Sequence, residues 1–344
     1  MKKFYNAFAT VVLLLCVTAL HAQDPSFAQF FSSPLNINPA LTANINSDWR
    51  LITNIRDQWI GPASPYMTGT ISYDTKMFQN KSSYAPENSN YLGIGGMLMY
   101  DKTMGGIQKS TYASLNLSYS VKLSEDDYHN TKKLSVGFGG IYGNKHIDFT
   151  KLDFQNQFTG TGFDTNLPSG ETALSNMKPY ASISAGLVYS ASSEHSNFDI
   201  GVAGFHFNKP KQSYMEDEHQ FLAIRKVAHA NFETIVNEKV VFNANAIYQN
   251  QARANYFSVG GSLGYHIDDD EEEGTMVNGG LWYWSKNAII PYIGLVYKYL
   301  QVGFSYDITI SKLAQAAKKP STFEVSIILR GSRRSSGAIP CPWK

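Results

Sequence analysis

Short segments in which apolar and polar side chains alternate recur along most of this 344-residue chain. The clearest are ASLNLSYSV at positions 113–121 and LQVGFSYDIT at positions 300–309. Because successive residues of a β-strand point to opposite faces, each segment predicts a strand with one apolar and one polar face. About fourteen segments of this kind are present, and nothing between them has a sustained helical period. The sequence therefore predicts an all-β protein.

The polar faces of these predicted strands distinguish a membrane barrel from a water-soluble sandwich. They carry mainly Gly, Ser, Asn and Thr, whereas the solvent face of a soluble sheet usually carries Lys, Glu and Arg. Charged residues make up only 17% of the chain. Closure of the sheet removes the strand edges that would otherwise pair with other chains. We therefore predict a transmembrane antiparallel β-barrel of about 14 strands over residues 48–330, located in an outer membrane.

Tyrosine and tryptophan residues lie near the ends of the predicted strands. Aromatic residues at these positions are typical of the girdles that membrane barrels place at the two membrane interfaces. The residues predicted to belong to these girdles are Trp59, Tyr66, Tyr100, Tyr189, Tyr248, Trp282 and Trp284.

The first 22 residues follow the plan of a secretory signal peptide: two lysines, the apolar run VVLLLCVTAL, and small residues before position 23. We expect cleavage after Ala22. The apolar run is shorter than the ~20 residues of a transmembrane anchor, and the bulky Leu15 disfavours lipoprotein processing at Cys16. Removal of the leader would leave Cys341 as the only thiol, so no internal disulfide is expected.

Composition and motifs give little support for catalysis or for nucleic-acid binding. The net charge of +1 disfavours a nucleic-acid partner. Residues 260–264 match the G-x-S-x-G motif of serine hydrolases, but no helix follows Ser262 to complete the nucleophile turn. The acidic run 268–273 lacks the interleaved spacing of a calcium loop, and the histidines are scattered. We expect no enzymatic activity, no cofactor and no metal site.

The connections between strands suggest which side of the membrane each one faces. If both chain termini face the periplasm, residues 145–178 and 209–222 lie outside, where long loops are expected, and the run 268–273 lies in a periplasmic turn. The first of these loops combines phenylalanines with Gly, Thr and Asn, a mixture that suits an adaptable binding surface. Its candidate partner-contact residues are Phe154, Phe158 and Phe163.

Residues 23–47 precede the first predicted strand and include the run SPLNINPALT at positions 33–42. Pro34 and Pro39 lack an N–H donor, so we expect an extended segment that resists both helix and central strand. Its apolar side chains would be costly in water and should be buried against the barrel or a partner, in the lumen or at the periplasmic mouth. The candidate partner-contact residues here are Phe27, Phe30, Phe31, Asn36, Asn38 and Pro39.

Four ordered blocks of the sequence resemble the PorP/SprF family of outer-membrane proteins from Bacteroidetes. They are QDPSFAQF from position 23, NPA from position 38, RDQWIGPASP from position 56 and CPWK at the end, after the basic run RGSRR. Residues 331–344 form a basic C-terminal tail on this interpretation. A departure from many outer-membrane barrels is that these residues come after the last predicted strand, whose end is normally the last residue of the chain.

The resemblance implies a component of type IX protein secretion and of the gliding machinery. Its expected partners are outer-membrane lipid, a secreted surface protein such as an adhesin with its C-terminal domain, and periplasmic secretion components. Two other functions stay open. One is an outer-membrane channel for solutes or hydrophobic compounds, with the N-terminal segment as a hatch, and the other is a lipase that uses Ser262.

Overall fold

The structure is a computed structural model that describes residues 24–61, 64–78, 90–125, 130–170, 177–212, 220–267, 274–315 and 319–331. The predicted leader 1–22, the acidic run 268–273 and tail residues 332–344 lie outside the described residues. Fifteen strands make up most of the described part of the chain. They are β1 (Trp49–Ile60), β2 (Tyr66–Met77), β3 (Tyr91–Thr103), β4 (Gln108–Glu125), β5 (Thr131–Ile147), β6 (Tyr180–Ser192), β7 (Ser196–Phe205), β8 (Arg225–Asn237), β9 (Val240–Gln251), β10 (Ala254–His266), β11 (Thr275–Trp284), β12 (Ala288–Tyr297), β13 (Leu300–Tyr306), β14 (Ile308–Thr309) and β15 (Ser321–Gly331).

Helical structure among the described residues is limited to single turns. The only α-helix there is α1 (Pro34–Ile37), and the 3-10 helices are Phe30–Ser32, Pro39–Leu41, Met104–Gly106, Phe149–Lys151, Gln155–Gln157 and Lys312–Gln315. None of the described helices is long and apolar enough to cross a membrane.

The strands form one closed antiparallel barrel. Each strand from β1 to β13 pairs with its neighbour in sequence, β11 pairs with β12, and β15 closes the sheet by pairing with both β1 and β13. The two-residue strand β14 continues β13 after Asp307 and pairs with the start of β12. Counting β13 and β14 as one strand, the barrel has fourteen strands, which confirms the predicted number. The strand predicted at 300–309 is interrupted at Asp307.

Apolar side chains of the barrel wall face outward and polar side chains face the lumen, the reverse of a soluble protein. On β4, Leu115 and Leu117 are 75% and 51% exposed, whereas the neighbouring Asn116 and Ser118 are each only 2% exposed. The exposed face of the wall is thus apolar and the enclosed face polar. This arrangement matches a barrel that presents its outer face to lipid.

Two of the predicted girdle residues point inward. Trp282 is 2% exposed and Trp284 is 9% exposed, and both belong to the largest buried apolar cluster of the described residues. Their side chains point into the barrel like those of Met276 and Asn278, because every second residue of β11 faces inward. Their position near the end of the strand does not change that direction. The girdle interpretation is wrong for these two tryptophans.

The two ends of the barrel differ in their connections. The end at which β1 begins and β15 ends is called the turn end here, and the opposite end is the loop end. The two longest connections, 148–179 and 206–224, both lie at the loop end, close to the predicted 145–178 and 209–222. The connection between β10 and β11, which contains the acidic run, is at the turn end.

Candidate functional site

The N-terminal segment lies inside the barrel and fills much of its lumen. Residues 24–47, called the plug from here on, are mostly buried, and the remainder are partly buried. Its hydrogen bonds reach strands on every side of the wall, from Asp74 on β2 to Glu324 on β15. The plug begins near Gln251 at the loop end and reaches β1 at the turn end.

The direction of the plug corrects one expectation about topology. The barrel begins and ends at the turn end, but Asp24 lies at the loop end, where its backbone N–H donates to the Gln251 side chain at 2.8 Å. The assumption that both termini face the periplasm requires the first residue and the end of β15 to lie at the same end of the barrel. In the described chain they lie at opposite ends. The plug crosses the lumen before the first strand starts.

The plug also contains helical turns that we did not expect from its prolines. Pro34 and Pro39 each occupy the first position of a short helix, where no N–H is needed and the fixed φ angle of proline already fits. The Asn38 side chain accepts a hydrogen bond from the Ala40 N–H at 2.9 Å and so caps the second turn. Proline starts these turns here and does not prevent them.

An ion pair anchors the start of the plug at the loop end. The Asp24 carboxylate lies 3.1 Å from Nε of Arg225 and accepts a hydrogen bond from Nε2 of His206 at 2.7 Å. The other ring nitrogen of His206 lies 2.7 Å from the Ser182 hydroxyl, which can donate to it. Burial favours a raised pKa for Asp24, but the charge of Arg225 and the His206 hydrogen bond outweigh it and hold the pKa well below its usual range.

A buried cluster of charges holds the plug close to its start, at Ala28 and Gln29. The Glu324 carboxylate accepts backbone N–H groups from Ala28 at 2.7 Å and Gln29 at 3.0 Å, and a hydrogen bond from Arg56 at 3.0 Å. The second guanidinium nitrogen of Arg56 donates to Asp307 at 2.6 Å. Arg56 is 1% exposed and Glu324 is fully buried. A carboxylate that accepts backbone donors holds the plug backbone in place through charge-assisted hydrogen bonds.

The Gln29 side chain adds three neutral hydrogen bonds to this cluster. Its amide N–H groups donate to the Ser305 hydroxyl and the Glu324 carbonyl, each at 3.0 Å, and its oxygen accepts from the Ser326 hydroxyl at 2.6 Å. Gln29 and Arg56 come from two different sequence blocks of the family resemblance. The structure brings both to Glu324, which gives these blocks a shared structural role.

A second ion pair anchors the end of the plug at the turn end. Arg50 and Asp74 are paired at 2.7 Å, and the same carboxylate accepts the Ala43 N–H at 2.7 Å. Nearby, the Ser118 hydroxyl donates to the Thr42 carbonyl at 2.7 Å. The plug is thus held to the wall by charged groups near its start, at Asp24, Ala28 and Gln29, and near its end, at Ala43.

The six candidate partner-contact residues of the plug face the barrel wall. Phe27, Phe30, Asn36, Asn38 and Pro39 are buried, and Phe31 is partly buried. Phe31 stacks on Trp282 with ring centroids 4.8 Å apart. In this structure the described plug side chains pack inside the lumen, and their role as partner contacts stays a prediction.

The three candidate residues of the long loop are arranged differently. Phe158 and Phe163 are each 52% exposed, form an isolated β-bridge and have ring centroids 5.1 Å apart. Phe154 precedes the short helix Gln155–Gln157 and is partly buried. The exposed phenylalanine pair at the loop end is a suitable anchor for a protein partner, and its role stays a prediction.

This loop yields a test of which end of the barrel faces outward. An epitope inserted after Gly160, at the tip between the two phenylalanines, should be bound by antibody on intact cells because long barrel loops face outward. An epitope inserted after Glu238, in the exposed turn between β8 and β9, should be bound only after the outer membrane is broken. The opposite pattern would reverse our orientation of the barrel.

Two glycines on β5 provide a matched test of the plug contact. A Cβ added at Gly137 would lie 2.2 Å from the Ala40 nitrogen and 2.3 Å from the Pro39 carbonyl carbon, both backbone atoms of the plug. A Cβ added at Gly140 would meet nothing within 4 Å. Only the first glycine is required by the close approach of the plug.

We therefore expect Gly137→Leu to push the Pro39–Leu41 turn off the wall and to cost about 1–3 kcal/mol of stability. The displaced plug should also open a path for ions, seen as current in planar bilayers. Gly140→Leu should change neither the urea unfolding midpoint nor the current. Equal behaviour of the two variants would show that the plug is not seated on β5.

The G-x-S-x-G motif lies within a regular strand, and the acidic run 268–273 lies outside the described residues. Ser262 lies in the middle of β10, which continues to His266 without the sharp turn that a nucleophile requires. No group of three or more His, Cys, Asp or Glu side chains in the described ranges could hold a metal ion. We did not single out the buried charges of the wall from the sequence. Arg50, Asp74, Arg225 and Glu324 contact the plug, and Arg56 and Asp307 complete the cluster around Glu324.

Comparison with known proteins identifies a family and shows distant structural likenesses. The family model described as "Type IX secretion system membrane protein PorP/SprF" matches residues 19–329. No curated protein matches the sequence significantly. Similar solved structures include the Pseudomonas putida toluene transporter TodX, with 8% identity over 86% of this chain and 93% of that chain and a TM-score of 0.47.

Two further structures are similarly distant. A Pseudomonas aeruginosa FadL homologue has 11% identity over 85% of this chain and 92% of that chain, with a TM-score of 0.45. The Acinetobacter baumannii outer membrane protein Omp33 has 9% identity over 83% of this chain and 98% of that chain, with a TM-score of 0.37. TM-scores below 0.5 give these likenesses no weight for function.

Proposed function

Since this chain belongs to the PorP/SprF family of type IX secretion system membrane proteins, we propose that it is a non-enzymatic outer-membrane component of the type IX secretion and gliding machinery. In this role it supports the export or the surface attachment of a partner protein such as an adhesin. The observation that carries the proposal is the family match over nearly the whole chain. The closed barrel with an apolar outer face supports its location in the outer membrane.

The plugged lumen supports a binding role over a conducting one. Three sets of charge-assisted contacts hold residues 24–47 across the lumen, at Arg225, Glu324 and Asp74. A pore that conducts solutes needs an open path, and a fixed plug opposes it. The exposed Phe158 and Phe163 then serve as a contact surface for the secreted partner outside, and the turn end faces periplasmic components.

The proposal is tested by removing the protein from the cell. A strain without this chain should keep its other outer-membrane barrels but lose at least one secreted protein from its surface, measured by protease shaving and mass spectrometry. The wild-type chain should restore it, and crosslinked pull-down from the outer membrane should recover the same protein. An unchanged surface in the deletion strain would reject the secretion role.

A channel with an N-terminal hatch is the second candidate function, because a segment that lies in the lumen before the first strand would open the barrel if it moved aside. Deletion of residues 33–42 has a different expected effect under each function. The secretion role predicts a barrel that still inserts but no longer supports display of its partner. The channel role predicts new single-channel current in planar bilayers with display unchanged.

A further inference from the structure

A cavity with two lobes, which we call the vestibule, lies between the plug and the wall in the turn-end half of the lumen. The larger lobe has a volume of about 300 Å³ and the smaller about 170 Å³. The larger lobe thus reaches the lower end of the range of about 300–1,000 Å³ seen for ligand pockets. Its lining includes the partly exposed plug residues Asn44 and Asn46. Residues that line both lobes are Phe31, Glu233, Asn243, Asn245 and Arg330.

Arg330 presents a positive charge to the vestibule. It lies directly opposite Arg50 in the pairing of β1 with β15, and both side chains point into the barrel. Arg50 is neutralised by Asp74 at 2.7 Å, whereas Arg330 donates to the amide oxygen of Gln301 at 2.9 Å and forms no salt bridge with any described residue. Like charges directly opposite each other destabilise a strand pair, so a carboxylate bound to Arg330 would offset this repulsion. The Arg330 side chain is partly exposed, so a ligand can reach it.

The far side of the vestibule carries a carboxylate beside an amide. Glu233 of β8 and Asn243 of β9 are direct cross-strand neighbours, and both point into the lumen and are partly exposed. Glu233 accepts a hydrogen bond from Asn197 at 3.2 Å, and its charge acts on Arg330 across the cavity without a salt bridge between them. The Asn243 amide has no hydrogen-bond partner among the described residues. The two walls therefore offer groups of opposite charge to one small molecule.

These groups match the chemistry of an α-amino acid. A planar guanidinium such as that of Arg330 binds a carboxylate through two parallel hydrogen bonds, and Glu233 and the Asn243 amide oxygen can accept from an ammonium group. A simple anion fits less well, because Glu233 and Asp199 line the same cavity and repel it. We propose that the vestibule binds a free α-amino acid or a dipeptide, with its carboxylate on Arg330, its ammonium group on Glu233 and Asn243, and its side chain against Phe31.

Isothermal titration of the purified full-length barrel in detergent tests this site with L-leucine as the probe. Two analogues each lack one of the charges: N-acetyl-L-leucine has no ammonium group, and L-leucinamide has no carboxylate. We expect one leucine to bind per barrel and each analogue to bind at least about tenfold more weakly, because each loses a charge-assisted contact.

Two variants assign the two contacts. Arg330→Gln should weaken leucine binding at least about tenfold and abolish the preference for leucine over leucinamide. Glu233→Gln should instead abolish the preference for leucine over N-acetyl-leucine. General damage to the fold would not produce this selective pattern, and heat-modifiable gel mobility selects the variants that fold. The matched controls Arg253→Gln and Glu238→Gln change exposed charges in turns and should bind leucine like the wild type.

Several outcomes would overturn the proposal. One is the absence of binding by both leucine and alanyl-alanine in the wild type. Another is equal binding of leucine and its two analogues, or unchanged preferences in Arg330→Gln and Glu233→Gln. Binding of acetate as tightly as leucine would show a site for simple anions and reject the assignment of an amino acid.

Discussion

Replacing Arg56 by methionine should lower the stability of the barrel by about 3–5 kcal/mol, because it leaves the buried carboxylates of Glu324 and Asp307 without their cation. Both carboxylates are at most 3% exposed, so water cannot replace the guanidinium. The same change weakens the cluster that holds Ala28 and Gln29 of the plug. Reversible urea unfolding in phospholipid vesicles measures the loss.

Two further variants separate charge from packing at Arg56. Arg253 is exposed in the turn after β9, so Arg253→Met should change stability by less than about 0.5 kcal/mol. Adding Asp307→Asn and Glu324→Gln to Arg56→Met removes the uncompensated charges and should recover part of the lost stability. Full stability of the Arg56→Met single variant would show that the cluster does not fix the plug.

The second large effect concerns the outer face of the wall. Leu117 lies near the middle of β4 and is 51% exposed, so Leu117→Arg should cost about 2–4 kcal/mol by placing a charge in the lipid core. Leu123 is also exposed but lies near the end of the strand, so Leu123→Arg should cost only about 0–1 kcal/mol. Heat-modifiable gel mobility and urea unfolding compare the two. Equal costs would contradict a lipid-facing wall.

Two lumen-facing serines of the wall contact the plug. In an open lumen, changing Ser118 or Ser305 to asparagine would be harmless. Ser118 instead donates to Thr42 of the plug, and Ser305 accepts from Gln29. Both serines are buried, so a larger side chain at either position must displace the plug. We now expect Ser118→Asn and Ser305→Asn to be destabilising.

The barrel was predictable because its determinants are local. Lipid-facing and lumen-facing positions alternate within each strand, so a run such as ASLNLSYSV predicts a barrel strand without information from the rest of the chain. The same alternation places the side chains of Trp282 and Trp284 inside the barrel. Applied to β11, it predicts that these two tryptophans do not belong to the girdles. Proximity to a strand end was given more weight than alternation.

The plug was not predictable in the same way because its contacts are distant in sequence. The Ala28 N–H bonds a carboxylate 296 residues away, and Asn38 bonds the carbonyls of Leu187 and Val202. One local signal was available: Arg56 and Glu324 place charges on inward positions of β1 and β15, where they are direct cross-strand neighbours. A charge at such a position needs a buried partner, and here the partners include the plug backbone.

The comparison of Gly137→Leu with Gly140→Leu on intact cells tests the central claim that the seated plug is required for secretion. The measurement is the amount of the secreted partner on the cell surface, normalised to the amount of folded barrel in the outer membrane. Our account predicts that Gly137→Leu cells lose display of the partner, whereas Gly140→Leu cells display it at the wild-type level. Wild-type display in Gly137→Leu cells whose barrel conducts ions would contradict the account.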